Sequence, residues 1–178
     1  MASLNDNLFT ILMDSFHPHS HRAYLRTHWG TLKMERQANR LQGMVFEDHP
    51  STQAADDRLF KISFIHCLRD FQQMPPRAQW RHFFTQGTRF QRAVWRALLE
   101  IPCGQTVGYK QVATQMAQPG AARAVGSALA ANPIALLIPC HRVVPSAGGT
   151  GNYRWGSARK QALLDAEALH GCDWYQLL

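Results

Sequence analysis

The run Ala135–Val144, ALLIPCHRVV, constrains the chain more than any other stretch of its length. Its aliphatic residues belong in a core, yet a cysteine, a histidine and an arginine interrupt them directly after a proline. Polar side chains taken into an apolar interior have to be paired there. Any fold of this chain must therefore account for a thiol buried beside two basic side chains. A cysteine so placed has three uses: inert core residue, metal ligand or nucleophile. A free thiol has a pKa of about 8.5 and is mostly protonated at neutral pH. A nucleophile thus needs a base, and the base needs a carboxylate to orient it. His141 adjoins Cys140, but on a strand the two side chains would point to opposite faces. A turn at Pro139, or a bridging water, is needed to join them. Asp165 and Glu167, in the downstream segment SARKQALLDAEAL, are the available carboxylates. The Pro-Cys-His-Arg setting favours the nucleophile over the inert thiol.

The other cysteines read differently. Cys67 sits among apolar residues at helical spacing, Cys103 ends a helix, and Cys172 lies near the C-terminus. Four scattered cysteines do not make a disulfide framework, so free thiols and a reducing cytoplasm are expected. His17, His19 and His21 lack cysteine partners at metal-binding spacing, and no metal or other cofactor is expected. The N-terminus shows no basic region and no small-residue cleavage site, which reads as no signal peptide. No apolar run approaches the roughly 20 residues of a membrane helix, so no membrane partner is expected. A chain of 178 residues, 46% hydrophobic and 17% charged, reads as globular. Its net charge of +7 makes a nucleic acid a natural partner.

Along the first half, Arg26–Arg36 partly alternates and reads as a strand, QANR as a turn and Leu41–Asp48 as the returning strand. Asp57–Gln73 carries Leu59, Ile62, Phe64, Ile65, Cys67, Leu68 and Phe71 at helical spacing. The two prolines of MPPRAQWRHFFTQGT mark a linker or boundary. The second half is more regular. From Thr88 a capped helix places Phe90, Val94, Trp95, Leu98 and Ile101 on one face, and Pro102 and Gly104 end it. VGYKQVATQMA and AARAVGSALAANP then read as two short helices around QPG, a pattern that fits a helix-turn-helix. The second of these helices is smooth, with Ala121, Ala122, Ala124, Gly126, Ser127 and Ala128 beside a single Arg123. Readout of base edges in the major groove needs longer hydrogen-bonding side chains. A smooth helix instead suits close approach to DNA with little regard to sequence, as in the minor groove.

TRFQRAVWRALLEIPCGQTVGYKQVA, PGAARAVGSALAANP, LLIPCHRVV, GNYRWG and KQALLDAE, taken in order, resemble the O6-methylguanine-DNA methyltransferases. The resemblance runs almost continuously from Thr88 to Glu167. Before that it is carried only loosely, by WGTLKM, LQGMVF and the helix that follows. Within the family the chain is most similar to bacterial stand-alone or Ada-type repair proteins. The resemblance implies an α/β (α+β) fold: an N-terminal ribonuclease-H-like sheet-and-helix domain over residues 1–84, then a mainly helical, winged helix-turn-helix-like domain over residues 85–178. It implies single-turnover repair of duplex DNA in the cytoplasm by a monomer. The alkyl group of O6-alkylguanine would pass to Cys140 after base flipping, with O4 of thymine open as a second substrate.

Residue roles follow from the resemblance. Cys140 would be the acceptor, His141 its base through a water, and Glu167 the residue that orients the histidine. Tyr109 would aid extrusion near the 3′ phosphate and donate a proton to the leaving guanine. Arg123 would fill the gap left by the flipped base. Ala122, Ala124, Gly126 and Ser146 would meet DNA. Asn132 would tie the recognition helix to the active-site turn. Leu129, Val143, Tyr153, Trp155 and Lys160 would complete the pocket. An indole at Trp155, where other members carry small residues, would favour methyl over benzyl groups. Two further readings stay open on the residues themselves. One is a cysteine hydrolase using Cys140, His141 and a carboxylate. The other is a helix-turn-helix regulator with an inert thiol.

Overall fold

In a computed structural model of the chain, the described residues are 22–38, 40–47, 58–171, 173 and 175. The histidines His17, His19 and His21 and Cys172 lie outside them. The fold is mixed, and the chain divides into two compact units, the second spanning Gly87–Trp174.

The first unit begins with an antiparallel sheet of β1 (Arg22–Thr27), β2 (Gly30–Gln37) and β3 (Arg40–Glu47), in that order. Alternation explains its two faces. Leu25, Leu32 and Phe46 form one rung of the buried face, and Ala23, Met34 and Met44 the next. Charged residues occupy the other face, where Arg22 pairs with Glu35 at 2.9 Å and Lys33 with Glu47 at 3.0 Å. The single strand expected over Arg26–Arg36 is in fact the end of one strand, a turn and most of another. The turn is possible because Gly30 adopts φ +117°. Thr27 holds it, its hydroxyl donating to the Gly30 carbonyl at 2.6 Å and accepting from the Trp29 N–H at 3.2 Å.

Helix α1 (Arg58–Gln73) buries Phe60, Phe64, Leu68 and Phe71. Leu59 and Ile62, expected on its apolar stripe, are instead 68% and 42% exposed. The helix turns its larger aromatic surface inward, and Phe60 stacks on Phe64 with ring centroids 6.4 Å apart. The expected linker after α1 belongs to this same unit. Pro76 opens the short α2 (Pro76–Arg81), a position where a missing N–H costs nothing. Gln79 Nε2 donates to the Phe71 and Met74 carbonyls at the end of α1. Leu41 of β3 exchanges hydrogen bonds with His82 and Phe84, which ties the segment to the sheet.

The second unit opens with α3 (Arg89–Leu98), capped by Thr88 and Gln91 in a reciprocal capping box. Val94, Trp95, Leu98 and Ile101 are buried and Phe90 half-buried. Next come β4 (Val107–Gly108), α4 (Tyr109–Gln115) and α5 (Ala122–Ala130), with α4 and α5 forming the helix-turn-helix pair. The indole N–H of Trp95 donates to the Ala128 carbonyl at 2.8 Å and fixes α3 against α5. The strand β5 (Val143–Val144) pairs in parallel with β4, and α6 (Ser157–His170) closes the unit. Helix α6 buries Lys160, Leu163, Ala166 and Glu167. Two charged residues on the inner face of a helix demand partners, and these define the site. Among the described residues no helix is long and apolar enough to cross a membrane.

Candidate active site

Asn132 follows α5 and is wholly buried. Its Nδ2 lies 3.1 Å from the Ile134 carbonyl, 3.0 Å from the Ile138 carbonyl and 3.1 Å from Cys140 Sγ. Its Oδ1 accepts from the Ile134 N–H at 3.0 Å. Two amide hydrogens serve three acceptors, so one is shared. This one side chain joins the end of α5 to the loop that presents the thiol. Cys140–Arg142 then forms a 3-10 turn after Pro139, not a strand.

The turn docks on α6 at two points, because Lys160 and Glu167, seven residues apart, share a helix face. Lys160 Nζ donates to the Val143 carbonyl at 2.6 Å. Glu167 Oε1 lies 2.8 Å from His141 Nε2. Arg142 also grips Glu167, with Nε at 3.1 and 2.9 Å from the two oxygens and Nη2 at 2.8 Å from Oε1. Its Nη1 reaches the Ile101 carbonyl at 2.7 Å. The Gly104 N–H completes the carboxylate's partners at 3.1 Å from Oε2.

These contacts set protonation. Burial alone would push Glu167 up, but the hydrogen bonds and charges of His141 and Arg142 outweigh it and hold the carboxyl at about 2. An ionised Glu167 can only accept, so the hydrogen of His141 sits on Nε2. Burial lowers the histidine's basicity against the pull of Glu167, which leaves the ring neutral. Nδ1, buried and without a hydrogen-bond partner, is then the lone acceptor on the imidazole. Burial pushes the Cys140 thiol up to about 11, opposed by the Asn132 hydrogen bond and by Lys160. At pH 7 the unassisted thiolate is then only about one part in 10⁴. Burial in turn lowers Lys160. It raises Tyr109, and the Cys140 charge adds to that. Tyr153 is raised well above its ordinary range, again chiefly by burial. Its hydroxyl makes no hydrogen bond of good geometry, but it lies close enough to the thiol to ease ionisation there.

Cys140 lies on the wall of a pocket of about 720 Å³. Tyr109, Arg123 and Gly126 of the helix-turn-helix form one side, and Tyr153 and Arg154 of the loop before α6 form another. A buried thiol thus faces a cavity beside the smooth helix. Residues 89–169 match the sequence family described as "6-O-methylguanine DNA methyltransferase, DNA binding domain". The chain is 55% identical over 83 residues to the "Bifunctional transcriptional activator/DNA repair enzyme Ada" of Escherichia coli, an overlap of 47% of this chain and 23% of that protein. It is 54% identical over 83 residues to the "Methylated-DNA--protein-cysteine methyltransferase" of Salmonella typhimurium, covering 47% of this chain and 48% of the relative. The chain therefore spans half or less of the length of these curated relatives. The crystal structure of Mycobacterium tuberculosis OGT in complex with DNA superposes with a TM-score of 0.67 and 32% identity, over 84% of this chain and 94% of the other. The chain belongs to the O6-methylguanine-DNA methyltransferase family.

Within this methyltransferase-family fold, the residues expected at the site separate into groups. Cys140, Tyr109, Ala122, Arg123, Gly126, Leu129 and Tyr153 all border the pocket. His141 and Glu167 are buried and do not border it. Ala124 is exposed on α5 away from the pocket wall. Ser146 is exposed in the loop after β5, close to Gly108 at the start of α4. Val143, Trp155 and Lys160, expected to line the pocket, do not border it, and neither does Asn132, which bonds to the turn instead. Asn132 and Lys160 are drawn inward by carbonyls, and Val143 is committed to the β4–β5 ladder. Trp155 is buried beside Tyr153, edge to face with centroids 5.2 Å apart. The expectation that its indole itself excludes bulky groups loses its premise. Asp165, the other carboxylate considered, is exposed and bonded to Gln161. Cys103 donates to the Gly171 carbonyl at 3.1 Å, and half-buried Cys67 is pushed up to about 12, chiefly by burial.

Arg142 and Arg154 are the residues the sequence reading passed over. Arg154 borders the pocket, donates to the Asn132 carbonyl at 3.2 Å and lies 5.6 Å above the Trp155 ring. Arg142 carried a usable signal. A guanidinium inside an apolar run has to meet a carboxylate, and α6 was the nearest source of one downstream.

Proposed function

We propose that the protein repairs duplex DNA by moving an alkyl group from O6 of guanine to Cys140, once per molecule. The observation that carries this reading is a buried thiol on a pocket wall shared with a helix-turn-helix, backed by a neutral histidine with one bare nitrogen. The names of the relatives agree, and the Mycobacterium tuberculosis structure is a complex with DNA. In this reading α5 lies against DNA and Arg123 takes the space of the extruded base, a swap that costs a few kcal/mol of unstacking. Tyr109, at the foot of α4, helps turn the base into the pocket. Tyr153 and Leu129 hold it there.

His141 Nδ1 takes the thiol proton through a water, and the ring becomes an imidazolium held by Glu167. A sulfur lone pair of Cys140 attacks the alkyl carbon, the carbon–O6 bond breaks, and its electrons pass to the purine. Tyr109, kept protonated by its raised pKa, returns a proton to the guanine. The product thioether cannot be displaced under mild conditions, so the chain is spent. No cofactor enters this scheme. A reducing cytoplasm, which keeps Cys140 a thiol, and a monomeric state are part of the same proposal.

A thiol hydrolase built on the same three residues would turn over many times, and a regulator would bind DNA without using Cys140. Titrating the protein with excess O6-methylguanine duplex separates them. The proposal expects one guanine restored per protein molecule and none with Cys140→Ser. Repeated turnover, or restoration by Cys140→Ser, would overturn it.

A further inference from the structure

Arg142 has no part in that scheme, yet it donates four hydrogen bonds within the site and is 8% exposed. A carboxylate that only steers an imidazole needs one hydrogen bond. Glu167 instead has both oxygens fixed, by the guanidinium fork and by the Gly104 N–H, before the histidine is counted. The fork is anchored in turn, because Nη1 is held by the Ile101 carbonyl beyond the end of α3. Fork-to-carboxylate pairing of this kind fixes orientation as well as charge. The position also matters to the imidazole. His141 Nε2 and Arg142 Nη2 both lie 2.8 Å from the same oxygen, Glu167 Oε1. The two cationic groups would then stand within roughly 6 Å, where like charges oppose one another.

We propose that Arg142 is a positioning residue for the transfer: it locks the Glu167 carboxylate in place and sets a fixed positive charge against His141, so that Nδ1 stays aimed and free of a proton. This inference rests on the alkyl-transfer reading. The charged groups facing His141 are Glu167 and Lys160 from α6 and Arg142 from its own turn. Glu167 favours the imidazolium, while Arg142 and Lys160 oppose it. Removing the Arg142 charge leaves the buried carboxylate facing His141 with one counter-charge fewer. The imidazole then binds a proton at higher pH, and a protonated ring cannot serve as base.

The test is the single-turnover rate of methyl transfer from an O6-methylguanine duplex between pH 5.5 and 9. It compares wild type with Arg142→Met, Arg142→Gln and Arg142→Lys, each checked for folding by circular dichroism. Relative to Arg142→Lys, which lacks the fork as they do but keeps the charge, both neutral variants should lose up to about tenfold at pH 5.5, at most about threefold at pH 7 and almost nothing by pH 9, an upward shift of about one unit in the acid limb. Arg142→Lys keeps the charge but not the fork, and should be slower at every pH with an unmoved midpoint. A purely structural role would slow the neutral variants by one factor across the whole range, and that result overturns the assignment. Arg142→Gln keeps a donor for Glu167, so it stands in if Arg142→Met does not fold. A wild-type chain that transfers no methyl group sinks the alkyl-transfer reading itself. Transfer by wild type, with neutral variants sharing its midpoint, sinks only the role of Arg142.

Discussion

Replacing Asn132 by leucine, similar in shape and without polar atoms, tests how the thiol is held. The side chain makes four hydrogen bonds in a region closed to solvent. The bonds do not count equally. The Ile134 carbonyl also accepts from the Ile138 N–H, and the Ile138 carbonyl also accepts from the Cys140 N–H. Both keep a partner when Asn132 is lost. The Ile134 N–H, which donates to Asn132 Oδ1, is left buried with nothing to replace it. An orphaned buried donor costs about 1–3 kcal/mol, and each further lost bond about 1 kcal/mol. Offset by the apolar gain of leucine, Asn132→Leu should cost about 3–4 kcal/mol, enough to lower the melting midpoint by about 6–16 °C. The thiol also loses the Asn132 N–H donor, so its ionisation becomes harder and methyl transfer slows where the variant stays folded. Urea titration followed by tryptophan fluorescence, with single-turnover transfer at 15 °C as a companion measurement, reads both effects. A variant within about 1 kcal/mol of wild type and still at full rate would refute this account of Asn132.

Two other outcomes follow from the same geometry. Glu167 is held at about 2 against an ordinary value of 4.5, so its carboxylate stabilises the fold fully above about pH 4.5 and loses that effect as pH falls toward 2. The difference in unfolding free energy between wild type and Glu167→Gln should shrink by about 2 kcal/mol from pH 6 to pH 3; parallel curves would contradict the carboxylate's role. Gly151, beside the pocket at φ +66°, has room for no side chain, because a Cβ there would sit 2.7 Å from Pro145 Cγ. Gly151→Ala should lower stability by about 1–3 kcal/mol and slow transfer, whereas a neutral result would mean that the loop is freer than its geometry indicates.

What could be read in advance depended on how local the signal was. Thr88 and Gln91 cap α3 with side chains three residues apart, and the buried stripe of α3 repeats at the helical period, so both were legible. Helix α1 has apolar residues around much of its circumference, and periodicity alone could not place Phe60 and Phe64 inside and Leu59 and Ile62 outside. The turn at His28–Trp29 was hidden because alternation runs on across it, and only the backbone of Gly30 reveals it. At the site, Cys140 and His141 stand out by their setting. The choice of Glu167 over Asp165 came from resemblance, since the two are only two residues apart on one helix and face different ways. Val143, Trp155 and Lys160 were assigned to the pocket and do not border it. Chain order does not say which side of a 3-10 turn a neighbour occupies.

The most direct test of the central claim is the intact and peptide-resolved mass of the protein after exposure to a duplex bearing one O6-methylguanine with an isotope-labelled methyl group. One labelled methyl per molecule, confined to the peptide carrying Cys140, is the predicted result. An unchanged mass, or a label on any other residue, would contradict it.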